Sequence, residues 1–361
     1  MEHSESQLTA TIERIRPLDD AAMRAAQARQ DQLTKPQGSL GRLESLSVQL
    51  AGITGQPRPV LKQPVVITMA ADHGIARQGV SAYPPEVTPQ MVLNFLHGGA
   101  AINVLARHVG ARVVIVDMGV AAQLPVHPNL VDRKIDLGTR DFSIGPAMTR
   151  DQARRAVQAG IEIAAREIEP STGALGGADI LATGDMGIGN TAASSAIVAA
   201  ITREPVARVT GRGTGVDDAG LAHKIAMIER GLEVNKPNPN DALDVLGDVG
   251  GFEIGGLAGV MIGAAAHQTP VVIDGFISGA AALIACTLAP AVQPYLIAAH
   301  RSVEIGHRVM LEHLRLEPLL DLDLRLGEGT GAALGLSLCI AACKILNEMA
   351  TFADAGVSEK E

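Results

Sequence analysis

Three glycine-rich segments and one histidine loop in this 361-residue chain carry side chains that can bind and process an anionic ligand. Gly184-Asp185-Met186-Gly187-Ile188-Gly189-Asn190-Thr191 follows an apolar run and opens a helical pattern. Gly327-Glu328-Gly329-Thr330-Gly331 also opens a helix, and Gly211-Arg212-Gly213-Thr214-Gly215 lies between the two. Such turns can aim several backbone N–H groups at one phosphate, which needs no net positive charge. None is a P-loop, because no Gly-Lys-Ser/Thr follows, and none completes the dinucleotide fingerprint G-x-G-x-x-G with its acidic residue about twenty positions on.

Glu328 has glycine on both sides, so a ligand can approach its carboxylate; a glutamate placed to satisfy the helix start fits the same pattern. Lys224, two turns into a helix that begins at Asp217-Asp218, can reach a phosphate or lie solvated on the helix surface. The aspartate pair itself is explained by N-capping. His73, in Asp72-His73-Gly74, fits either a ligand-facing residue or a loop histidine held by Asp72. No His/Cys/carboxylate set has metal-ligand spacing, and no G-x-S-x-G nucleophile elbow is present.

The elements that must position these segments alternate. β-rich runs at residues 65–71, 112–117, 180–183, 271–274 and 295–298 are separated by helical patterns at 89–108, 150–167, 217–229, 253–267 and 279–288. This alternation predicts an α/β fold, a Rossmann-like mainly parallel sheet with helices on both faces. Residues 4–54, interrupted at 35–41, and residues 303–314 and 331–352 read as helical. The expected organisation is a small helical domain from 1–60 and 303–361 and a large α/β nucleotide-binding domain over 61–302, with the active site between them. Ligands of open α/β sheets collect beyond the carboxyl ends of the strands, where these unusual segments lie.

Composition narrows the function. Aromatics are 2% of residues and tryptophan is absent, which opposes a base-stacking platform, and a net charge of −9 opposes a general polyanion binder. No nucleic-acid partner is expected. Cys286, Cys339 and Cys343 form neither a disulfide framework nor a zinc pattern, and the last two read as small buried thiols. The polar start MEHSESQ is unlike a signal peptide, and the apolar stretch 271–299 is broken by Asp274, Gly275, Gly279, Pro290 and Pro294, so no membrane insertion and a cytoplasmic location are expected.

Taken together, TKPQGSLGRLE (34–44), AADHGIARQGVSAYPPEVT (70–88), GDMGIGNTAAS (184–194), GRGTGVDDAGLAHK (211–224), GGFEIGGLAG (250–259), DGFISGAAAL (274–283), HRSVEIGH (300–307) and LGEGTGAALG (326–335) resemble the nicotinate-nucleotide–dimethylbenzimidazole phosphoribosyltransferase family. The resemblance implies a homodimer acting on nicotinate mononucleotide and dimethylbenzimidazole without cofactor or metal. It implies Glu328 as general base and a phosphate site from Gly187, Ile188, Gly189, Lys224, Ser302, Gly327 and Gly329. Ser81, Tyr83 and Gln90 would lie near the benzimidazole, with Met186 and Leu326 as apolar walls. One position departs from the family pattern: Asp185 stands where glutamate is expected, one methylene shorter, and is assigned supporting electrostatics. Two other readings are an enzyme of this scaffold using adenine or a phenol as acceptor, and a non-catalytic nucleotide-binding protein, which would have no use for a carboxylate at 328. A nicotinamide-dependent dehydrogenase is disfavoured by the incomplete fingerprint.

Overall fold

The computed structural model describes residues 2–170 and 177–358. Six strands, β1 (Pro64–Ala71), β2 (Arg112–Gly119), β3 (Leu130–Asp132), β4 (Ile180–Met186), β5 (Val271–Ile273) and β6 (Leu296–Ala298), form one sheet in the order β3-β2-β1-β4-β5-β6. Every pairing is parallel. This is the doubly wound order of Rossmann folds, and the direction of winding reverses between β1 and β4. All eight residues of β1 are buried, so the strand is apolar on both faces except for the buried Thr68, without a polar alternation. Its side chains still divide by face. Val65, Ile67 and Met69 enter the core under helices Arg150–Ile168 and Phe252–Ala266, whereas Val66 and Ala70 face the core shared with Leu50, Leu336 and Cys339.

Small residues set the spacing of the first layer. Helices Arg150–Ile168 and Phe252–Ala266 approach so closely that a Cβ on Gly160 would overlap the Gly256 carbonyl and lie 2.9 Å from Gly259 Cα. Both neighbours are backbone and cannot swing aside. Gly160→Ala is therefore expected to destabilise the fold by roughly 1–3 kcal/mol. A fall in the urea midpoint at constant slope is the measurement that checks it, and an unchanged midpoint would show that the helices can separate without loss.

The terminal segments meet on the opposite layer. Helices Asp20–Gln32, Arg42–Thr54 and Thr330–Glu348 bury Ala26, Ala51 and Leu346 against one another, and Leu33 pairs with Thr351 in an isolated antiparallel bridge. Helix Glu2–Glu13 instead lies on Phe252–Ala266, and Ile305–Leu314 lies on Phe276–Leu288. Thr330–Glu348, at 19 residues, is long and apolar enough to cross a membrane by length and composition, but Ala332, Leu336, Cys339 and Cys343 are buried within the protein.

The structure departs from the periodicity reading in a few places. The helix expected over 89–108 is two, Val87–Leu96 and Ala101–Val109, because Gly98 adopts φ +76° between them. The segment 4–54 breaks a second time, after Glu13, where Asp19 caps the next helix by accepting from Ala22 N–H at 2.8 Å. Strand β3 is three residues long and helix Ala242–Val249 eight, too short to register as periodic patterns.

Candidate active site

A cavity of about 650 Å³ opens beyond the carboxyl ends of β1, β4, β5 and β6, at the point where the strand order reverses. Its floor is formed by Gly327 and Glu328, in the turn Gly327-Glu328-Gly329. Three successive residues there have positive φ, +82°, +64° and +96°. The outer two are glycines and adopt this conformation without penalty, but Glu328 has a Cβ and is strained by about 1–2 kcal/mol. Its surroundings hold it in place. The Thr68 hydroxyl, on β1, donates to the Glu328 carbonyl at 2.9 Å, and Glu328 N–H donates to the Asp185 carbonyl at 3.2 Å. Strain that is retained in this way is characteristic of functional positions.

Glu328 is 4% exposed and lines the cavity. Its Oε2 accepts from Ile102 N–H at 3.2 Å, at the start of helix Ala101–Val109. Burial raises its pKa, the Ile102 hydrogen bond works against that, and the nearby Asp274 charge adds to the rise. Asp185, at the end of β4, is pushed well above the usual carboxylate range, first by burial and then by Asp274, Glu253 and Glu328. Its Oδ2 accepts from Asn190 Nδ2 at 3.0 Å, while Oδ1 has no partner among the described residues. The cavity thus holds two carboxyls of raised proton affinity side by side, a feature of sites that move protons.

The phosphate-directed groups are distributed around this floor. Gly187, Ile188, Ser302 and Gly327 line the cavity. Gly189 and Gly329 do not; each is the N-cap of a helix, with φ +98° and +96°. Gly329 N–H is engaged by Asp274 Oδ2 at 3.2 Å, and Ile188 N–H by the Thr88 hydroxyl at 3.1 Å. Lys224 is 1% exposed, not a solvated surface lysine, and sits just behind the wall. Its Nζ donates to Thr191 Oγ1 at 2.8 Å and to the Gly211 carbonyl at 3.3 Å. Burial lowers its pKa to about 8, against the opposing pull of Glu304. Asp217 caps the Lys224 helix by accepting from Gly220 N–H at 2.8 Å.

On the rim, Tyr83 and Leu326 are 56% and 58% exposed and line the cavity together with Met186. Ser81 is outside the lining: its hydroxyl meets Thr214 Oγ1 at 3.0 Å, joining the loop before helix Val87–Leu96 to the Gly211–Gly215 loop. Gln90 is exposed on that helix and also outside the lining. His73 is neither ligand-facing nor held by Asp72. Its side chain is fully buried, with Nε2 2.6 Å from Glu253 Oε1, behind the Gly187–Gly189 turn. Among the described residues no group of three or more His, Cys, Asp or Glu side chains is arranged to hold a metal ion.

Residue spacing did not bring out Asp274, His300 and Glu304. Asp274 follows β5 and is fully buried; its Oδ1 accepts from Ala332 N–H at 2.8 Å, so it caps helix Thr330–Glu348 from a distant part of the chain. His300 follows β6 and approaches Asp274 Oδ1 at 3.7 Å. The strand-end rule points to both residues once the strands are located.

A doubly wound parallel sheet, with glycine turns and a buried carboxylate converging at its switch point, defines a nucleotide-binding α/β protein equipped for group transfer. Residues 15–357 match the phosphoribosyltransferase family described by that name. The chain is 73% identical, over 98% of its length and 99% of the other protein, to nicotinate-nucleotide–dimethylbenzimidazole phosphoribosyltransferase of Roseiflexus sp. (strain RS-1). It is 68% identical, over 99% of each chain, to the protein of the same name from Chloroflexus aggregans (strain MD-66 / DSM 9485). The crystal structure of nicotinate-nucleotide-dimethylbenzimidazole phosphoribosyltransferase from Thermus thermophilus superposes with a TM-score of 0.89 at 46% identity, covering 95% of this chain and all of that one. The chain belongs to the nicotinate-nucleotide–dimethylbenzimidazole phosphoribosyltransferase family.

Proposed function

We propose that this chain transfers the 5-phosphoribosyl group of nicotinate mononucleotide to 5,6-dimethylbenzimidazole, giving α-ribazole 5′-phosphate and nicotinate for the nucleotide loop of cobalamin. The observation that carries this reading is the strained, buried Glu328 carboxylate on the cavity floor, in a chain 73% identical to a protein bearing that enzyme's name.

The chemistry asks for one base. The leaving ring is a pyridinium, and when the C1′–N bond breaks its electron pair returns to that nitrogen, so the leaving group needs no proton. A lone pair of the benzimidazole attacks C1′ from the opposite face, which converts a β-nucleotide into an α-riboside. The new ring cation then loses its N–H proton to Glu328, which returns it to solvent. The carboxylate also favours the positive charge that develops on the ribose. Asp185 supports this electrostatically. Much of the acceleration comes from holding the two rings on opposite sides of C1′ with the phosphate as anchor.

In this reading the phosphate is held by the Gly187–Gly189 and Gly327–Gly329 turns, Ser302 and Lys224. The acceptor ring lies against Met186 and Leu326, near Ser81, Tyr83 and Gln90. The Lys224 ammonium must swing past Thr191 to meet the phosphate. The Gly329 and Ile188 N–H groups must exchange their present acceptors or leave the phosphate to their neighbours. The same reading assigns residues 1–60 and 303–361 to a small helical domain facing the 61–302 domain across the site, and a cytoplasmic homodimer as the working form.

Lys224→Ala is expected to weaken nicotinate mononucleotide binding about tenfold to a hundredfold with a smaller change in turnover, since a charge-assisted hydrogen bond is worth roughly 1.5–3 kcal/mol. Calorimetric titration checks this, and an unchanged affinity would remove Lys224 from the site. The reaction itself is tested by incubating the protein with nicotinate mononucleotide and 5,6-dimethylbenzimidazole and separating the products. Release of nicotinate with formation of α-ribazole phosphate establishes the transfer. Nucleotide binding without product, for this base and for adenine and phenols, would favour a binding protein.

A further inference from the structure

We propose that Glu304 is a positioning residue of the nucleotide site: it is the counter-charge that holds the Lys224 side chain as an ammonium until the phosphate of the incoming nucleotide takes its place. The inference rests on the reading of Lys224 as a phosphate ligand.

Glu304 lines the cavity yet is 7% exposed, and its Oε2 has no hydrogen-bond partner among the described residues. A buried carboxylate oxygen without a donor is costly, so its retention calls for a charge nearby. Gly211 shows where that charge is. The Gly211 carbonyl accepts from Lys224 Nζ at 3.3 Å, and a Cβ on Gly211 would lie 2.9 Å from Glu304 Cδ. Carboxylate and ammonium thus both approach Gly211, the ammonium at its carbonyl and the carboxylate where a side chain would begin.

The surrounding groups leave this role to Glu304. On the Lys224 helix, Asp217 is occupied as the N-cap and Asp218 is engaged by Arg212, while His223 contacts the Gln78 carbonyl. Helix Asn190–Thr202 supplies the uncharged Thr191 hydroxyl. Above the loop, Arg325 donates to the Gly213 carbonyl at 3.2 Å. From the Ser302 side, His307 is held neutral, its pKa pushed down to about 3 by burial, and His300 lies against Asp274. Burial lowers the Lys224 pKa to about 8, and Glu304 is the charge that opposes the fall.

This geometry has a use in the reaction cycle. The cavity lining carries Glu304, Asp323 and Glu328 against Arg325 and His300, an acidic surface for an anionic nucleotide. A lysine that lost its proton in the interval between turnovers would remove the phosphate's principal buried cation. Glu304 keeps the proton in place, and the phosphate then competes for the same ammonium.

The test is calorimetric titration of nicotinate mononucleotide from pH 6.5 to 9 into wild type, Glu304→Gln, Glu304→Ala and Lys224→Ala. Lys224 is charged below its pKa, so wild-type affinity should fall as pH rises through about 8. With the Glu304 charge removed, that fall should begin at lower pH. At pH 6.5, where Lys224 keeps its proton and the carboxylate no longer repels phosphate, both Glu304 variants should bind as tightly as wild type or more tightly. At pH 8.5 they should bind about tenfold more weakly, the equivalent of one pKa unit. A merely structural role would weaken binding by the same factor at every pH. Parallel profiles in whichever Glu304 variant folds, or a flat wild-type profile, would overturn the proposal. Wild-type affinity in Lys224→Ala would instead remove Lys224 from the phosphate site, which is the failure of the underlying reading and is separately visible.

Discussion

Replacing Glu328 by glutamine is expected to lower turnover by about 10²–10⁴-fold while leaving the affinity for nicotinate mononucleotide nearly unchanged. The amide has the size of the carboxylate, and its oxygen can still accept from Ile102 N–H, the bond that now reaches Oε2 at 3.2 Å. The strained turn is therefore kept and the proton acceptor alone is lost. The pH profile gives a second, independent reading. Burial and Asp274 raise the Glu328 pKa, and a base acts only when deprotonated. Turnover of the wild type should therefore fall as pH is lowered through a pKa raised from the ordinary glutamate value, and this acid limb should be missing from the residual activity of Glu328→Gln. The stability sign runs the other way. A carboxyl that binds its proton more tightly when folded favours the native state below its folded pKa, and that contribution is lost as pH rises through it. A glutamine variant with near-normal turnover, or one that retains the acid limb, would take Glu328 out of the proton transfer.

Why Glu328 was legible in the sequence while Glu304 and Asp274 were not follows from how each is placed. A carboxylate between two glycines stands out in the sequence as one a ligand can approach, and the structure adds that all three residues, 327–329, have positive φ. The strands were legible because β1 and β2 contain unbroken runs of β-branched residues, Val65-Val66-Ile67 and Val113-Val114-Ile115-Val116, all buried but the partly exposed Val113. Strand order was not legible, since parallel strands pair through crossovers and neighbours in space are distant in the chain. Only that order brings the end of β5 beside the turn after residue 326, where Asp274 reaches Gly329 and Ala332. Lys224 shows the same limit from the other direction. Its helix is polar enough to read as solvated, and the fact that it is buried follows from the Gly211–Gly215 loop folding over it.

Gly184→Ala should be nearly as damaging to turnover as loss of the carboxylate, although residue 184 bears no functional group. Gly184 pairs with Thr68 across β4 and β1, and the Gly327–Gly329 turn lies flat on this pair. A Cβ at 184 would overlap the Glu328 carbonyl oxygen and stand 2.5 Å from its carbon and 2.7 Å from Gly329 N. All three are backbone atoms, so the turn must lift off the sheet. Lifting breaks the Thr68 hydroxyl bond to the Glu328 carbonyl and carries the carboxylate away from C1′. A displacement of about 1 Å can cost about 100-fold in rate, and overpacking of this kind costs roughly 1–3 kcal/mol of stability. The expected result is a folded protein with a lowered melting temperature and turnover reduced about 100-fold, with nucleotide affinity changed much less. Thr68→Val separates the two contributions. It removes the hydroxyl without adding bulk at 184, so it should lose part of the activity while the turn keeps its place on β4. If Gly184→Ala folds and turns over normally, the position of Glu328 relative to the sheet is not what the left-handed turn secures. The strain at residue 328 would then need a different explanation.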